Sequence, residues 1–369
     1  MRRYLEKQIL QDLKRKMVFI GGPRQVGKTT LAQQLVPNKS AYLNWDIPEH
    51  REKILKREFP TTKRWIFDEI HKYRTWRNYL KGIYDLLKDE VEILVTGSAR
   101  LDYYRFGGDS LQGRYHYLRL YPLSVAELKI ESSKDLNDLL QFGGFPEPFL
   151  GKSQTQARRW SLDYRNRFIR EDIMSLERVQ DLGNLELLIL SLPDSVGNPL
   201  SIHALSQNLQ VSFKTVSQWI QILERLYSIF RIPPFGAPKI RAVRKEQKHY
   251  HLDWSLIKEL PLRFENMVAV HLLKWVHYQI DTQGKDLELR YFRDVDGREV
   301  DFVLLENGAP VSFIECKWSD TEVSRPLRYL KARFPKCQAW QISFQGTKDY
   351  KTAEGIRVAP AIKFLCDLI

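Results

Sequence analysis

The chain has 369 residues, 43% of them hydrophobic and 12% aromatic, and carries a formal net charge of +13. This length exceeds what one ordinary hydrophobic core fills, so we expect two or three domains, and the composition excludes a largely disordered chain. The charged N-terminal stretch MRRYLEKQILQDLKRK lacks the apolar core of a signal peptide. Because no apolar run approaches the roughly 18 residues of a membrane span, we expect a cytoplasmic protein.

The excess of basic residues favours a polyanionic partner, of which nucleic acid is the first candidate. The charge is unevenly distributed along the chain. Residues 231–248 contain six Lys and Arg residues but only one acidic residue, Glu246. This segment is therefore a candidate for contacts with phosphate.

The three cysteines, Cys316, Cys337 and Cys366, cannot all pair with one another. They show neither CxxC nor Cys/His spacing, and each lies in an apolar context. We expect reduced thiols in hydrophobic cores and no zinc site.

A phosphate-binding loop is predicted near the N-terminus. The stretch MVFIGGPRQVGKTTLAQQL passes from a short apolar strand through a glycine-bearing loop into a helix, and its GPRQVGKT segment satisfies G-x-x-x-x-G-K-[ST]. Glycines let backbone N–H groups approach phosphate at a helix N-terminus. We expect Lys28 to reach the β and γ phosphates of ATP and Thr29 to contact Mg²⁺. The predicted ATP-binding residues are Gly22, Pro23, Arg24, Gln25, Val26, Gly27, Lys28, Thr29 and Thr30.

Two further apolar strands end in polar residues suited to ATP hydrolysis. RWIFDEIHK ends in Asp68, expected to hold the Mg²⁺ water shell, and Glu69, expected to orient the attacking water. VEILVTGSA ends in Thr96 and Ser98, whose hydroxyls we expect to act as sensors between these acids and the γ-phosphate. We expect His71 to be a hydrogen-bonded surface residue rather than a nucleotide sensor.

The strands AYLNWD and RYHYLRL, with helical stretches between them, complete the alternation that predicts a parallel α/β sheet. The motifs GPRQVGKTTL, FDEIHK, LVTGSAR, GGDSLQGRYHYLRLYPLSVAEL and FGGFPEPF together resemble a large prokaryotic family of AAA-type ATPases that carry a C-terminal domain of unknown function. The resemblance covers nearly the whole chain. It implies that Arg114 is an arginine finger for a neighbouring subunit's ATP, with Arg100 and Arg105 as rivals and a solvated surface arginine as the alternative. Such a finger requires a homo-oligomer, for example a ring.

A basic helical connector, ARRWSLDYRNRFIREDIMSLER, is predicted after GGFPEPFL. LELLILSLPD, SIHALSQNLQ and SFKTVSQWIQILERLYSIF then read as three helices, with Ser201 and Ser212 as N-caps of the second and third. FRIPPF and KHYHLDW flank a basic excursion as two strands, so the segment is typical of a winged helix.

The third helix is predicted to face the core with Val216, Trp219, Ile220, Leu223 and Leu226, which follow the 3.6-residue period. Winged helices bind either DNA or other proteins, and the basic excursion favours DNA. The predicted DNA contacts are Lys214, Gln218, Arg241, Arg244, Lys245 and Lys248.

A second candidate site lies in VSFIECKWSD, where a period of two puts Glu315 and Lys317 on one face of a strand. The upstream strand REVDFVLL carries Asp301. A five-residue ENGAP connection would pair Asp301 with Glu315 on that face, whereas a two-residue Asn307-Gly308 turn would place Asp301 on the opposite face. Pro310 lacks an N–H group, so we expect the longer loop.

Glu265 is the one acid on an otherwise apolar face of the predicted helix FENMVAVHLLKWV, so it needs a partner. Glu265, Asp301, Glu315 and Lys317 together resemble the constellation of PD-(D/E)xK nucleases. The resemblance implies that the three carboxylates bind Mg²⁺ and that Lys317 assists hydrolysis of a nucleic-acid backbone. The alternative is a structural ion-pair lattice built from the same residues.

These patterns predict an α/β protein. We expect a P-loop NTPase (AAA-like) domain in residues 1–150, a helical connector in 151–185, a winged-helix domain in 186–250 and a restriction-endonuclease-like domain in 251–369. The predicted function is ATP-dependent processing of DNA, with ATP and Mg²⁺ as cofactors. The alternative is a nucleotide-driven switch or regulatory scaffold that binds DNA or protein without cleavage.

Overall fold

The computed structural model describes residues 1–36, 38–97, 111–173, 181–236 and 247–369. Predicted site residues outside these ranges are Ser98, Arg100, Arg105, Arg241, Arg244 and Lys245. The chain forms two compact units, Met1–Pro122 with Arg225–Tyr227, and Leu123–Glu224 with Ser228–Ile369. Within the described ranges, no helix has both the length and the apolar character needed to cross a membrane.

The first unit is built on a five-stranded sheet in the order β2-β3-β4-β1-β5, and all of its paired strands are parallel. Its strands are β1 (Met17–Gly21), β2 (Tyr42–Asn44), β3 (Arg64–Asp68), β4 (Glu92–Thr96) and β5 (Tyr115–Arg119). Its helices are α1 (Glu6–Asp12), α2 (Lys28–Leu35), α3 (Pro48–Lys56) and α4 (Trp76–Leu87). The predicted parallel sheet is therefore confirmed.

The central strands β1 and β4 are buried at every position, as expected for parallel strands covered on both faces. Aromatic residues from strands and helices, including Phe19, Phe67 and Trp76, fill the core on one side of the sheet. The carboxyl ends of β1, β3 and β4 lead into the predicted P-loop, the acidic pair and the predicted sensor residues. Since the strands are parallel, these three groups meet at one edge of the sheet.

The second unit begins with helices and a two-stranded sheet. Its first helices are α5 (Val125–Leu128), α6 (Ser133–Phe142), α7 (Pro146–Gly151), α8 (Gln154–Arg167), α9 (Leu182–Ser191), α10 (Ile202–Asn208) and α11 (Phe213–Arg225). The predicted N-caps are confirmed, because the hydroxyl of Ser201 accepts from the Ala204 N–H at 3.3 Å and that of Ser212 from the Thr215 N–H at 3.0 Å. Strands β6 (Ile229–Ile232) and β7 (Lys248–His251) pair antiparallel.

Helix α11 buries the residues that its periodicity predicts. Val216, Trp219, Ile220 and Leu223 are all buried, and so is Leu226, which directly follows the last residue of the helix. Lys214 and Gln218, on the opposite side, are exposed. The predicted amphipathic character of this helix is confirmed.

A six-stranded mixed sheet in the order β12-β13-β11-β10-β9-β8 forms the C-terminal part of the second unit. Its strands are β8 (Leu287–Arg293), β9 (Glu299–Glu306), β10 (Ala309–Lys317), β11 (Gln338–Ser343), β12 (Tyr350–Lys351) and β13 (Arg357–Pro360). The accompanying helices are α12 (Leu260–Gln283), α13 (Arg325–Arg333) and α14 (Ala361–Leu365). The pairs β8–β9 and β9–β10 are antiparallel, whereas β10–β11 and β11–β13 are parallel.

The loop between β9 and β10 differs from the prediction. It is the two-residue turn, with Asn307 at φ 52° and Gly308 at φ 79°, so the five-residue connection is wrong. Glycine and asparagine adopt these left-handed angles at low cost, which makes the short turn favourable. Pro310 pairs directly with Leu305, and its missing N–H group does not exclude it from the strand.

A register shift between Pro310 and Ser312 restores the predicted pairing of the strands. Beyond it Ser312 pairs with Leu304, and Ile314 pairs with Phe302. Val311 is the extra residue of this β-bulge. Continuing the register by one residue brings Asp301 opposite Glu315, the arrangement predicted for the longer loop.

The three cysteines are free thiols. Cys337 is buried and Cys316 is partly buried, but Cys366 is exposed. The expectation that all three lie in hydrophobic cores is therefore wrong for Cys366, which follows the short helix α14 at the surface.

Candidate functional site

The predicted P-loop has a backbone that requires glycine at two positions. Gly22 has φ +123°, and a Cβ atom on it would lie 2.2 Å from the carbonyl oxygen of Leu120. Gly27, the N-cap of α2, has φ 96°. Both angles lie where L-residues with side chains are strained, so the loop has this shape because these residues are glycines.

Lys28 is buried inside the same loop at the start of α2. Its Nζ atom donates to the carbonyl oxygens of Gly22 at 3.0 Å and Pro23 at 2.5 Å. The loop thus holds the ammonium group among its own backbone atoms, next to a helix N-terminus. That position suits a lysine that binds phosphate.

Asp68 is the centre of a hydroxyl network at the end of β3. Thr29 Oγ1 donates to its Oδ2 atom at 2.9 Å and Thr96 Oγ1 donates to its Oδ1 atom at 2.7 Å. The Tyr42 hydroxyl donates to Oδ2 at 2.7 Å and accepts from Asn44 Nδ2 at 2.8 Å. Burial, together with the Asp68 carboxylate, raises the pKa of Tyr42.

Sequence reasoning missed Tyr42, although it had predicted the strand AYLNWD. The tyrosine lies on β2, and Asn44 of the same strand pairs with Asp68 in the sheet register. The sequence contains no direct signal for this contact, because Tyr42 is the first residue of β2 and reaches Asp68 only through the pairing of β2 with β3. Thr29 and Asp68 supply hard oxygen ligands side by side, a donor set that fits Mg²⁺.

Glu69 adopts a left-handed backbone conformation with φ 56°, and its N–H donates to the Thr96 carbonyl at 3.0 Å. Its Oε2 atom lies 3.2 Å from Lys72 Nζ and 3.7 Å from His71 Nε2. Burial raises the pKa of Glu69, with Lys72 acting against the shift. His71 is buried, so the expected surface position is wrong.

Arg114, the predicted arginine finger, lies just before β5 and pairs with Asp85 of α4. The two hydrogen bonds measure 2.7 and 3.1 Å. The side chain is partly exposed. Its role toward a neighbouring subunit remains a prediction.

The second candidate site lies on β9 and β10. Asp301 Oδ2 accepts from the Cys316 N–H at 2.8 Å, and Glu315 Oε1 accepts from Lys317 Nζ at 2.7 Å. The other Glu315 oxygen, Oε2, is buried without a hydrogen-bond partner among the described residues. Burial, then the charge of Asp301, raises the pKa of Glu315 to about 7.

Lys248 corrects the prediction of a DNA contact on the wing. It is 1% exposed, and its Nζ atom lies 2.5 Å from Glu299 Oε1 and 3.6 Å from Glu265 Oε1. The side chain is also 5.5 Å from the ring of Tyr291. A buried lysine requires carboxylate partners, and Lys248 on β7 has them in the acids of α12 and β9. It is therefore not placed to contact a DNA phosphate at the surface.

Glu265, the acid on the apolar face of α12, has the polar partners that its burial requires. Both partners lie on β7. The hydroxyl of Tyr250 donates to Glu265 Oε1 at 2.8 Å, and Lys248 lies beyond it. Burial, followed by the Asp301 charge, raises the pKa of Glu265 to about 7. The sequence contained a signal for both partners, since the period of two in KHYH puts Lys248 and Tyr250 on one face.

Within the described part of the chain, no group of three or more His, Cys, Asp or Glu side chains is arranged to hold a metal ion. A site formed jointly by Glu265, Asp301 and Glu315 therefore remains a prediction. Of the predicted DNA contacts, Lys214 and Gln218 lie exposed on α11, next to Phe213, which is 55% exposed.

Three family comparisons match successive parts of the chain. Residues 14–129 match an AAA domain, residues 133–267 match a domain of unknown function (DUF8612) and residues 263–364 match another domain of unknown function (DUF4143). The first match contains the P-loop and the Asp68 network. The last contains Glu265, Asp301, Glu315 and Lys317.

Two similar proteins are known only as uncharacterized proteins. One from Mycobacterium tuberculosis is 22% identical over 325 residues, which cover 85% of this chain and 73% of the relative. Another, from Methanocaldococcus jannaschii, is 23% identical over 270 residues, 62% of this chain and 60% of the relative.

Among solved structures, a Signal Transduction ATPase with Numerous Domains from Pyrococcus horikoshii, which has a tetratricopeptide repeat sensor, is 16% identical with a TM-score of 0.25. The similarity covers 75% of this chain and 47% of that one. At so low a TM-score it is not evidence for a shared overall fold. The family match and the P-loop geometry together place an AAA-type ATPase domain in the N-terminal part of the chain.

Proposed function

We propose that the first unit binds and hydrolyses ATP with Mg²⁺. The observation that carries the proposal is the contact of Thr29 and Asp68 at the end of the P-loop, with Tyr42 and Thr96 fixing the carboxylate. Residues 22–30 would hold the phosphates, and Thr29 and Asp68 would hold the metal. Bound Mg²⁺ supplies neutralisation of the phosphate charge.

In this proposal Lys28 compensates charge on the β and γ phosphates, and Glu69 orients the attacking water. Glu69 suits this role because burial raises its pKa, which makes it a better proton acceptor than an exposed glutamate. Lys72, at 3.2 Å, keeps the carboxylate in place.

The first test uses Lys28→Ala and Glu69→Gln with a fluorescent ATP analogue and a phosphate-release assay. Lys28→Ala should abolish nucleotide binding, because the loop loses its buried cation. Glu69→Gln should retain binding but lower turnover by at least about a hundredfold, since an amide cannot accept the water's proton.

Lys88→Ala and Glu90→Gln are matched exposed controls in the same unit and should behave like the wild type. Normal turnover by Glu69→Gln would contradict its role as the water-orienting residue. Failure of the wild type to bind nucleotide would overturn the ATPase proposal itself.

A second candidate function is metal-dependent cleavage of a nucleic-acid backbone by the C-terminal site. It is favoured by the buried, unpartnered Oε2 atom of Glu315, which lies on a strand whose register brings Asp301 opposite. Asp301 and Glu315 would hold Mg²⁺, and Lys317 would stabilise negative charge on the phosphate. The exposed side of α11 with Lys214 and Gln218, in a winged-helix segment, would position the DNA.

Incubation with linear, single-stranded, branched and plasmid DNA in Mg²⁺ or Mn²⁺, with and without ATP, tests this candidate. Cleavage should be lost in both Glu315→Ala and Lys317→Ala and retained in the exposed control Glu322→Ala. DNA binding without cleavage, independent of metal, would instead favour the nucleotide-driven switch or scaffold. Cleavage that survives both substitutions would place the activity elsewhere.

An oligomer belongs to the same proposal, since Arg114 acts as a finger only on a neighbouring subunit's ATP. Sedimentation with and without an ATP analogue measures the assembly. Arg114→Ala should lower turnover at unchanged nucleotide affinity if the finger is real. If Asp85→Ala lowers turnover as much as Arg114→Ala does, Arg114 has a structural role instead, because Asp85 is the partner of Arg114 within the same unit.

A further inference from the structure

The second unit has a cavity that neither proposed site uses. Its volume is about 720 Å³, and α6, α8 and the first turns of α12 line it. This volume lies within the roughly 300 to 1,000 Å³ typical of ligand pockets. None of the P-loop residues or the C-terminal acids contributes to its wall.

Among the residues that the structure describes, the lining of this cavity is basic and contains no acidic residue. Arg158 of α8 and Arg263 of α12 are the charged members of this described lining. Arg263 is half-buried and its Nε atom donates to the Ile257 carbonyl at 2.6 Å. Over the described ranges, the exposed Arg158 has no carboxylate at ion-pair distance, whereas the charge of Arg263 interacts with the buried Asp253. The charge of Arg158, on a wall that also carries Arg263, favours an anionic occupant.

The same cavity also offers apolar surface at its floor and its rim. Leu140 and Phe142 of α6 form buried parts of the wall. Leu162 of α8 and Leu260 of α12 are 51% and 46% exposed. Both line the cavity, so its rim has apolar surface that is exposed to solvent. Apolar surface rimmed by polar groups is typical of a protein interaction site.

From this combination we infer that the cavity docks an acidic, leucine-bearing segment of a partner protein. An apolar side chain of the partner enters between Leu162 and Leu260, and its carboxylates pair with Arg158 and Arg263. The rim favours a peptide over a small metabolite, because an enclosed small ligand would leave these leucines exposed.

The test measures fluorescence anisotropy of a short fluorescein-labelled peptide containing Glu and Leu, added to the full chain at physiological salt. Arg158→Gln should weaken binding about tenfold, since it removes a charge-assisted hydrogen bond. Leu162→Ser should weaken it about fivefold by removing apolar contact. Arg263→Gln should act like Arg158→Gln, provided that its thermal unfolding matches the wild type.

Arg159→Gln is the matched control, because Arg159 is the exposed neighbour of Arg158 on α8 and does not line the cavity. It should bind like the wild type, and a peptide of Glu and Ser should bind at least about tenfold more weakly. Equal weakening by Arg159→Gln would show unspecific charge attraction and overturn the proposal. Equal binding of the Glu and Ser peptide, or no binding to the wild type, would also overturn it.

Discussion

At the residue scale, the position of Asp68 depends on three hydroxyl donors that come from three separate elements. Thr29 is the second residue of α2, Tyr42 begins β2 and Thr96 ends β4. A carboxylate held from several directions is already oriented before a metal arrives, which lowers the cost of ordering it on binding. Thr29 is a candidate metal ligand, so Tyr42 and Thr96 are the donors able to keep Asp68 in place when Thr29 turns to Mg²⁺.

Tyr42→Phe should therefore weaken the effect of Mg²⁺ on nucleotide binding while leaving metal-free binding unchanged. A loss of one buried hydrogen bond of about 1 kcal/mol corresponds to roughly fivefold in the Mg²⁺ concentration that gives half of the effect. Titration of a fluorescent ATP analogue with Mg²⁺ and with EDTA measures both quantities.

Tyr79→Phe is a suitable control, since it removes a tyrosine hydroxyl in the same unit that donates to the Ile54 carbonyl. It should leave the Mg²⁺ titration unchanged. A Tyr42→Phe curve that superimposes on the wild type would show that Thr96 alone orients Asp68.

At the element scale, helix α12 is joined to the short helix α5 by buried polar contacts. Lys274 Nζ donates to Ser124 Oγ at 2.9 Å and pairs with Glu127, and both charged side chains are almost fully buried. One turn earlier, His271 Nε2 accepts from the Val125 N–H at 3.1 Å. These contacts fix the start of the second unit to the helix that carries Glu265.

Glu127→Gln should destabilise the second unit by about 3 to 5 kcal/mol, because the Lys274 charge stays buried without its carboxylate. The double variant Glu127→Leu with Lys274→Met should recover much of this loss, since no buried charge is left uncompensated. Urea unfolding measures both. Glu52→Gln breaks the exposed pair with Lys56 and should not change the transition. If Glu127→Gln lowers the free energy of unfolding only slightly, Ser124 alone is a sufficient partner for Lys274.

At the scale of the whole molecule, the second unit contains three buried histidines whose pKa values burial lowers. The values are about 4 for His249, about 3 for His251 and about 4 for His271. In the unfolded chain each titrates near about 6.5. Between these values the unfolded state binds protons that the folded state excludes, so the free energy of unfolding falls as the pH is lowered.

The buried acids oppose this trend, because their raised pKa values let the folded state take up protons from about pH 7 downward. For Glu265 and Glu315 burial is the leading cause. Buried Asp253 and Asp301 have raised pKa values for the same reason, so four acids of the second unit act against its three histidines. We therefore expect only a shallow dependence of the free energy of unfolding on pH where the two sets of groups titrate. Urea unfolding between about pH 4.5 and 7.5, where these histidines and carboxyl groups titrate, measures how the free energy of unfolding changes with pH.

Glu315→Gln should make the free energy of unfolding fall more steeply as the pH is lowered, by up to about 1.4 kcal/mol per pH unit, because it removes one group that binds a proton in the folded state. Glu322→Gln, at an exposed position, should leave the slope unchanged. A shallower slope in Glu315→Gln would contradict the raised pKa of this carboxyl.

The sequence by itself determined the features that depend on neighbours along the chain. The glycine spacing of the P-loop, the acids after an apolar strand, the caps Ser201 and Ser212 and the buried face of α11 each follow from local backbone geometry and side-chain periodicity. The alternation of strands and helices was likewise sufficient to predict the parallel sheet of the first unit.

The tertiary structure alone decided which charged groups are buried and what they contact. Lys248 belongs to a basic segment, yet it is enclosed because Glu265 and Glu299 approach it from α12 and β9. Tyr42 reaches Asp68 only because β2 and β3 are adjacent, and a bulge at Val311 sets the register of Asp301 and Glu315 after a shorter turn than predicted. Local sequence cannot specify these outcomes, since the cost of burying a charge depends on partners that are distant in the chain.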